Sequence, residues 1–357
     1  MTEVKTRFAP SPTGYLHIGG ARTALFNWLF AMKNNGKFYL RIEDTDTLRS
    51  TEKAINAIFN GLEWLDIKWE KEITFQSKNS SRYQEIVNLL LEKNKAYYCY
   101  SSPQELDKIR ENSRKKGVKQ THNRFWRDKK PGDKEKNINP VVRFKAPLNG
   151  ITIIDDLVQG EVKVKNEQLD DMILLRSDGT PTYMLSVVVD DYDMGITHVI
   201  RGDDHLNNAF RQINLFKSLD WKIPNYAHIP LIHNSDGKKL SKRLNSVGIE
   251  EYKEMGILSE AMKNYFLHLG LSYGDEEIIS ENNAIKLFSI NKIRKSPSRF
   301  DIKKLKNINS FYIKNLSQNE IINKVKNLYY KNFHKDVVDN NLKKLNPLFD
   351  DLISRSS

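Results

Sequence analysis

The chain has 357 residues, 39% of them hydrophobic and 29% charged, a length that calls for two or three domains and a composition typical of globular proteins. No stretch approaches the roughly 18 consecutive apolar residues of a membrane span, and the opening residues hold no signal-peptide apolar core, so a cytoplasmic protein without membrane contact is expected. Cys99 is the only cysteine, which excludes an internal disulfide framework and a cysteine-based zinc cluster and leaves a small buried hydrophobe as its plain reading. The net charge is +12, and 15 Lys and Arg against 6 Asp and Glu fall from residue 291 onward, which places +9 of it there. A basic end of this kind is the footprint of a polyanion partner or, equally, of a lysine-rich composition.

Residues 6–9 read as a short strand closed by the turn Pro10-Ser11-Pro12-Thr13-Gly14. Ala21, Ala24, Leu25, Trp28, Ala31 and Met32 then recur at helical spacing on one face, and Asn34-Asn35-Gly36 stops the helix. Phe38, Leu40 and Ile42 alternate with Lys37, Tyr39 and Arg41 as a second strand. Strand, glycine-bearing turn, helix and strand make a βαβ unit, the building block of a parallel sheet. Two more helices fit 51–65 and 80–93. Residues 101–136 are polar, basic and broken by Gly and Pro, and read as a loop-rich part of an inserted domain. Strand character returns over 141–164, at 183–189 and at 198–201; the last run feeds Gly202-Asp203-Asp204-His205 and a helix through 214–219. Beyond 246 the pattern is helical.

Two constellations carry chemistry. The first runs from Arg7 through Pro10-Ser11-Pro12-Thr13-Gly14 to His17-Ile18-Gly19-Gly20, a turn between a strand end and a helix start. In α/β sheets ligands bind at such places, where unpaired N–H groups and the helix dipole favour anions. His17 can donate to a phosphate, and Gly19 and Gly20 let a nucleotide ring approach the backbone. The chain holds no G-x-x-x-x-G-K-[ST] motif, so this is not a P-loop. The second constellation is Lys238-Lys239-Leu240-Ser241-Lys242-Arg243 after Gly237, a basic loop able to follow charge across a triphosphate. Taken singly, either could be structural, a Gly-rich turn with a satisfied histidine or a solvated basic face.

The pairing of a His-Ile-Gly turn near the start with a Lys-x-Ser-Lys loop more than 200 residues later resembles the class I aminoacyl-tRNA synthetases. The opening from Arg7 to Asn27 resembles the bacterial glutamyl-tRNA synthetases more closely, as do Arg41-Ile42-Glu43-Asp44-Thr45-Asp46 and Asp178-Gly179-Thr180-Pro181-Thr182-Tyr183. Further matches are Asp190-Asp191 with Gly195 to Gly202, Glu250-Glu251-Tyr252, and Lys295 to Asp301, so that the likeness runs from about residue 5 to residue 313. It implies that His17, Gly19, Gly20 and Lys242 bind ATP with Lys239 in support, these five being the catalytic set. It implies also that Arg7, Ser11, Glu43, Tyr183 and Arg201 bind L-glutamate, the arginine forks meeting its carboxylates and Glu43 its ammonium. Mg²⁺ on the ATP phosphates, activation that requires bound tRNA, and a monomer follow from the family as well.

The implied fold is α/β: a Rossmann-type parallel-sheet catalytic domain with an inserted acceptor-binding α+β domain, followed by an all-α C-terminal region. The expected divisions are 1–98 and 179–234 for the two halves of the catalytic domain and 99–178 for the inserted acceptor-stem-binding domain. They continue with 235–306 for the lysine loop and tRNA stem-contact region and 307–357 for part of a helical anticodon-binding domain. The implied partners are the tRNA for glutamate, with the tRNA for glutamine left open. Many relatives carry a Cys-x-Cys zinc pair where this chain has Cys99 and Ser101, with Phe125 near a third ligand position, so zinc is not expected. The family also usually continues about 100 residues further. That keeps two other readings in view: a synthetase of glutamyl-queuosine on the tRNA for aspartate, and a non-catalytic tRNA-binding fragment. A glutaminyl enzyme is disfavoured by Ala9-Pro10-Ser11-Pro12.

Overall fold

A computed structural model describes residues 2–46, 49–115, 124–130, 132, 138–234, 236–237, 248–271, 276–330 and 334–345. The chain opens with β1 (Lys5–Phe8), α1 (Ile18–Lys33), β2 (Lys37–Ile42), α2 (Glu52–Trp64), β3 (Ile73–Phe75) and α3 (Ser80–Glu92). It continues through β4 (Ala96–Cys99), α4 (Pro103–Lys115), β5 (Val141–Phe144), β6 (Ile151–Asp156), β7 (Gly160–Lys165) and β8 (Ile173–Leu175). Then come α5 (Tyr183–Asp193), β9 (His198–Gly202), α6 (Leu206–Ser218), β10 (Asn225–Ile229) and β11 (Ile232–His233). The remainder is α7 (Ile249–Glu254), α8 (Ser259–His268), α9 (Glu281–Leu287), β12 (Ser298–Arg299), α10 (Ile302–Lys314), α11 (Gln318–Tyr329) and α12 (Lys335–Leu345). Two compact units form, one from residues 1–13, 30–55 and 69–229, the other from 14–29, 56–68 and 230–357.

The first unit holds the expected parallel sheet. β2 pairs in parallel with both β1 and β3, and β9 pairs in parallel with β10. Lys5 donates its N–H to Thr197 Oγ1 at 2.8 Å and its carbonyl accepts from the Thr197 N–H at 3.0 Å, which lays β1 beside the start of β9. The resulting order β3, β2, β1, β9, β10 is the doubly wound arrangement, with β1 at the point where the order reverses. The same unit holds an antiparallel sheet of β4, β5 and β8 and the β6–β7 hairpin. One apolar core joins α3, α5 and α6 to these strands through Tyr83, Leu90, Phe144, Leu174, Leu185, Val188 and Phe216, all buried.

Two elements differ from the sequence reading. Residues 183–189 are not a strand but the start of α5, despite the β-branched run Val187-Val188-Val189. Residues 185–191 are all buried in it, and a helix lets Asp190 and Asp191 both reach inward polar partners, whereas a strand would send neighbours to opposite faces. Inside the loop-rich stretch lies α4, opened by a reciprocal cap: Glu105 N–H donates to Ser102 Oγ at 3.2 Å, and Ser102 N–H donates to Glu105 Oε2 at 2.9 Å. After it Trp126 packs with Tyr97 and Cys99.

In the second unit α8 and α10 pack together, and Asp301 N–H donates to the Tyr265 hydroxyl at 2.6 Å. Asp301 also caps α10, and Ser317 with Glu320 forms a capping box on α11. Arg22 of α1 donates to the Leu269 carbonyl at 2.9 Å, and Phe26 meets Phe288 edge to face at 5.5 Å. Among the described residues no helix is long and apolar enough to cross a membrane.

The turn from α1 into β2 sets the sheet's register. Lys37 N–H donates to the Val4 carbonyl at 2.8 Å, and a Cβ on Gly36 would stand 2.2 Å from that carbonyl oxygen. Gly36→Ala is therefore expected to displace β1 from β2 and to cost about 1–3 kcal/mol, read as a lower midpoint in chemical denaturation.

Candidate functional site

Four of the sequence-selected residues meet at the carboxyl ends of the parallel strands of the first unit. Arg7, next to last in β1, is 4% exposed; its Nε donates to Asp191 Oδ1 at 2.9 Å and its Nη2 to Oδ2 at 3.3 Å. Arg41 of β2 is fully buried and reaches the same carboxylate, Nη1 to Oδ1 at 2.6 Å, while its Nη2 donates to Glu43 Oε1 at 3.2 Å. Asp191 thus bridges two guanidiniums. Burial alone would raise its pKa, but Arg41 and Arg7 overcome this and hold the carboxyl below the usual range. At Glu43 burial prevails and the pKa is raised, Arg41 and Arg7 opposing it. The Glu43 N–H is fixed on the Pro10 carbonyl at 3.0 Å, which ties the end of β2 to the turn carrying Ser11. Ser11 is exposed, with its carbonyl accepting from Thr13 N–H at 2.8 Å.

Beside Asp191 on α5, Asp190 anchors a separate network. It accepts from Gln76 at 2.7 Å, Asn79 at 3.0 Å and the Tyr83 hydroxyl at 2.9 Å. Burial raises its pKa against the pull of Arg41 and these donors.

Arg201 of β9 has a different environment. It is 6% exposed, and its partners are all neutral: Gln212 Oε1 at 2.7 Å and the His205 carbonyl at 3.4 Å from Nη2, the Tyr183 hydroxyl at 3.4 Å from Nη1, and His228 Nε2 at 3.2 Å from Nε. Among the described residues it makes no ion pair with a carboxylate. Tyr183 opens α5 and its hydroxyl lies 3.0 Å from His205 Nδ1. Burial, aided by Arg201, lowers the His205 pKa to about 4, so that imidazole is neutral at physiological pH.

The second unit carries the other cluster. His17 precedes α1, and its Nδ1 accepts the Gly20 N–H at 3.2 Å, so the side chain caps its own helix. An N–H can only donate, so in the neutral ring the proton sits on Nε2. A Cβ on Gly19 would stand 3.3 Å from the imidazole, which explains a glycine there. The backbone pairing of His17 with Gly248 continues in the Ile249 N–H, which donates to the Leu16 carbonyl at 2.8 Å. Lys239 and Lys242 lie outside the described residues.

The chain resembles known proteins over most of its length. The family model of class I tRNA synthetases (E and Q), catalytic domain, matches residues 3–307. The chain belongs to that family. It is 57% identical over 311 residues to glutamate–tRNA ligase 2 of Paramagnetospirillum magneticum, covering 87% of this chain and 65% of that protein. Two solved structures are also similar. The glutamate–tRNA synthetase of Elizabethkingia anophelis has a TM-score of 0.84 at 35% identity, covering 93% of this chain and 74% of that one. A glutamate tRNA ligase of Elizabethkingia meningosepticum, in complex with its amino acid, has a TM-score of 0.84 at 34% identity, covering 97% and 76%. The Rossmann-type class I fold is therefore that of this chain, which spans about 65% of the length of the curated relative. Class I synthetases use ATP as a substrate.

Sequence reading missed the partners of these residues: Asp191 and Arg41 as an ion-paired support, and Gln212, His205, His228 and Asp156 around Arg201. The signal for the first pair was Asp190-Asp191 ending an apolar run, since adjacent acids after three valines are costly unless they are paired. Asp191→Ala is expected to leave two buried guanidiniums without their shared carboxylate and to cost about 3–5 kcal/mol, measured by urea unfolding.

Proposed function

We propose that the chain is the catalytic part of a glutamate–tRNA ligase, which activates L-glutamate with ATP and passes the glutamyl group to the 3′ end of the tRNA for glutamate. The observation that carries this reading is Arg201. A buried guanidinium whose hydrogen-bond partners among the described residues are all neutral is costly unless an anion meets it, and a substrate carboxylate supplies that anion. Arg7, already paired with Asp191, would contribute a second cationic contact. Glu43 would accept the substrate ammonium, and Tyr183 and Ser11 would complete the pocket. On the nucleotide side, His17 and the Gly19-Gly20 turn would bind ATP, with Lys242, supported by Lys239, on the departing charge.

In the first step an α-carboxylate oxygen of glutamate attacks the α-phosphorus of ATP in line. The bond to the β-phosphate breaks and its electron pair leaves with diphosphate. In the second, a hydroxyl of the terminal tRNA ribose attacks the glutamyl carbonyl and AMP departs. No protein nucleophile is required; positioning and charge stabilisation provide the rate. Mg²⁺ would arrive on the ATP phosphates. Zinc has no role in this reading, since Ser101 and Phe125 stand at or near positions where zinc-binding relatives carry ligands. Residues 99–178 would take the acceptor stem, 235–306 further stem contacts, and 307–357 part of the anticodon arm. The enzyme would act in the cytoplasm as a monomer.

The test is charging by this chain of separately purified tRNAs for glutamate, glutamine and aspartate, and diphosphate exchange with and without tRNA. Charging of the glutamate tRNA is expected, and the glutamine tRNA arm reads whether the chain accepts a second tRNA. Arg201→Ala should raise the KM for glutamate at least about tenfold. Lys242→Ala should lower the activation rate on the order of 10²–10³-fold with the glutamate KM little changed. Full turnover in the Lys242 variant would refute the assignment.

A further inference from the structure

Beside its bonds to Gln212, His205 and Tyr183, Arg201 is held at Nε by a pair of buried residues. His228 of β10 is 0% exposed, and its Nε2 lies 3.2 Å from Arg201 Nε. A guanidinium N–H can only donate, so Nε2 is the acceptor and the imidazole proton resides on Nδ1. Nδ1 in turn stands 2.6 Å from Asp156 Oδ2, where its proton is donated. Asp156 is itself held on several sides. Its Oδ1 accepts the N–H groups of Val158 at 2.9 Å, Gln159 at 2.8 Å and His228 at 3.1 Å. Leu157 N–H donates to the Tyr226 carbonyl at 2.8 Å, fastening the β6–β7 turn to β10.

We propose that His228, locked in its Nδ1–H tautomer by Asp156, is a positioning residue for Arg201, taking the Nε–H so that Nη1, which gives one N–H to Tyr183, can turn its other N–H to the substrate carboxylate. The arrangement rests on Arg201 being the glutamate-binding arginine. It leaves the arginine's charge unneutralised, because a neutral ring stands between it and the Asp156 carboxylate, while removing its freedom to rotate. A carboxylate in the position of His228 would fix the arginine equally well but would cancel the attraction for an anionic substrate.

Three variants separate positioning from bulk structure. His228→Asn can still donate to Asp156 but offers nothing at the Nε2 position. His228→Gln can place an amide oxygen there. In Asp156→Asn the three N–H groups on Oδ1 hold the amide oxygen at that site, so the amide nitrogen faces Nδ1 and turns the ring to the Nε2–H tautomer, which repels the Arg201 N–H. Calorimetric titration of the 357-residue chain with L-glutamate and, separately, with ATP is the measurement. For His228→Asn and Asp156→Asn the glutamate Kd should rise about tenfold with the ATP Kd unchanged, and for His228→Gln it should stay within about threefold of the starting protein. In nitrogen-15 NMR, His228 should carry its proton on Nδ1, and Asp156→Asn should move it to Nε2. Unchanged glutamate binding in His228→Asn, equal losses in the Asn and Gln variants, or parallel weakening of ATP would overturn the proposal. Arg201→Ala distinguishes the two levels: if it leaves glutamate binding intact, the pocket reading falls and the relay with it. If it weakens binding while His228→Asn does not, only the relay falls.

Discussion

Everything at the candidate site depends on how two buried arginines on adjacent parallel strands are kept from repelling one another. Asp191 accepts from both Arg7 and Arg41, and it can do so because α5 is a helix whose inner face carries the acid to the sheet. The ends of β1 and β2 are thereby fixed side by side, and Glu43, two residues beyond Arg41, inherits its position from that pair. A carboxylate held ionised by two guanidiniums is a stiff joint: removing it releases two charges, whereas in place it costs only its own desolvation. The strand ends then serve as a fixed frame for the mobile chemistry of a substrate.

Against that frame, the environments of the two arginines proposed to bind substrate are complementary. Arg7 is neutralised by protein and anchored; Arg201 is anchored by neutral groups and keeps its charge. One cationic group is thus committed to the scaffold and another keeps its charge. The Tyr183–His205 contact beside Arg201 is neutral as well, which keeps the local field dominated by the guanidinium.

How far the sequence could take the reader varied with the range of the interaction. The βαβ opening was legible because its signals are local: helical spacing after Gly20, alternation over 37–42, and a stop at Asn34-Asn35-Gly36. Three valines in a row misled the reading of α5, since the preference of β-branched residues for strands is weak beside a demand that Asp190 and Asp191 both turn inward. The cap Ser102-x-x-Glu105 was written plainly in the sequence but was masked by the polar composition around it. Arg7, Glu43 and Arg201 could be picked out only through family likeness. Their supports could not, because Arg7 and Asp191 are 184 positions apart and Asp156 and His228 are 72 apart, and no local pattern encodes such pairs.

Each compact unit is threaded from three separate pieces of chain, and the first is not complete until residue 229. During synthesis, then, β1 leaves the ribosome with its neighbour β9 still some 190 residues away, and Lys5 must wait for Thr197. Bringing such distant partners together carries a loop-closure cost before any contact repays it, which makes folding of the sheet late and cooperative rather than progressive. Residues 14–29 and 56–68 wait longer still, because their unit is finished only by segments after 230. In the nascent chain their apolar faces, Phe26 and Leu62 among them, stay without their final neighbours until most of the protein has been made, an interval in which a holdase chaperone would find its targets.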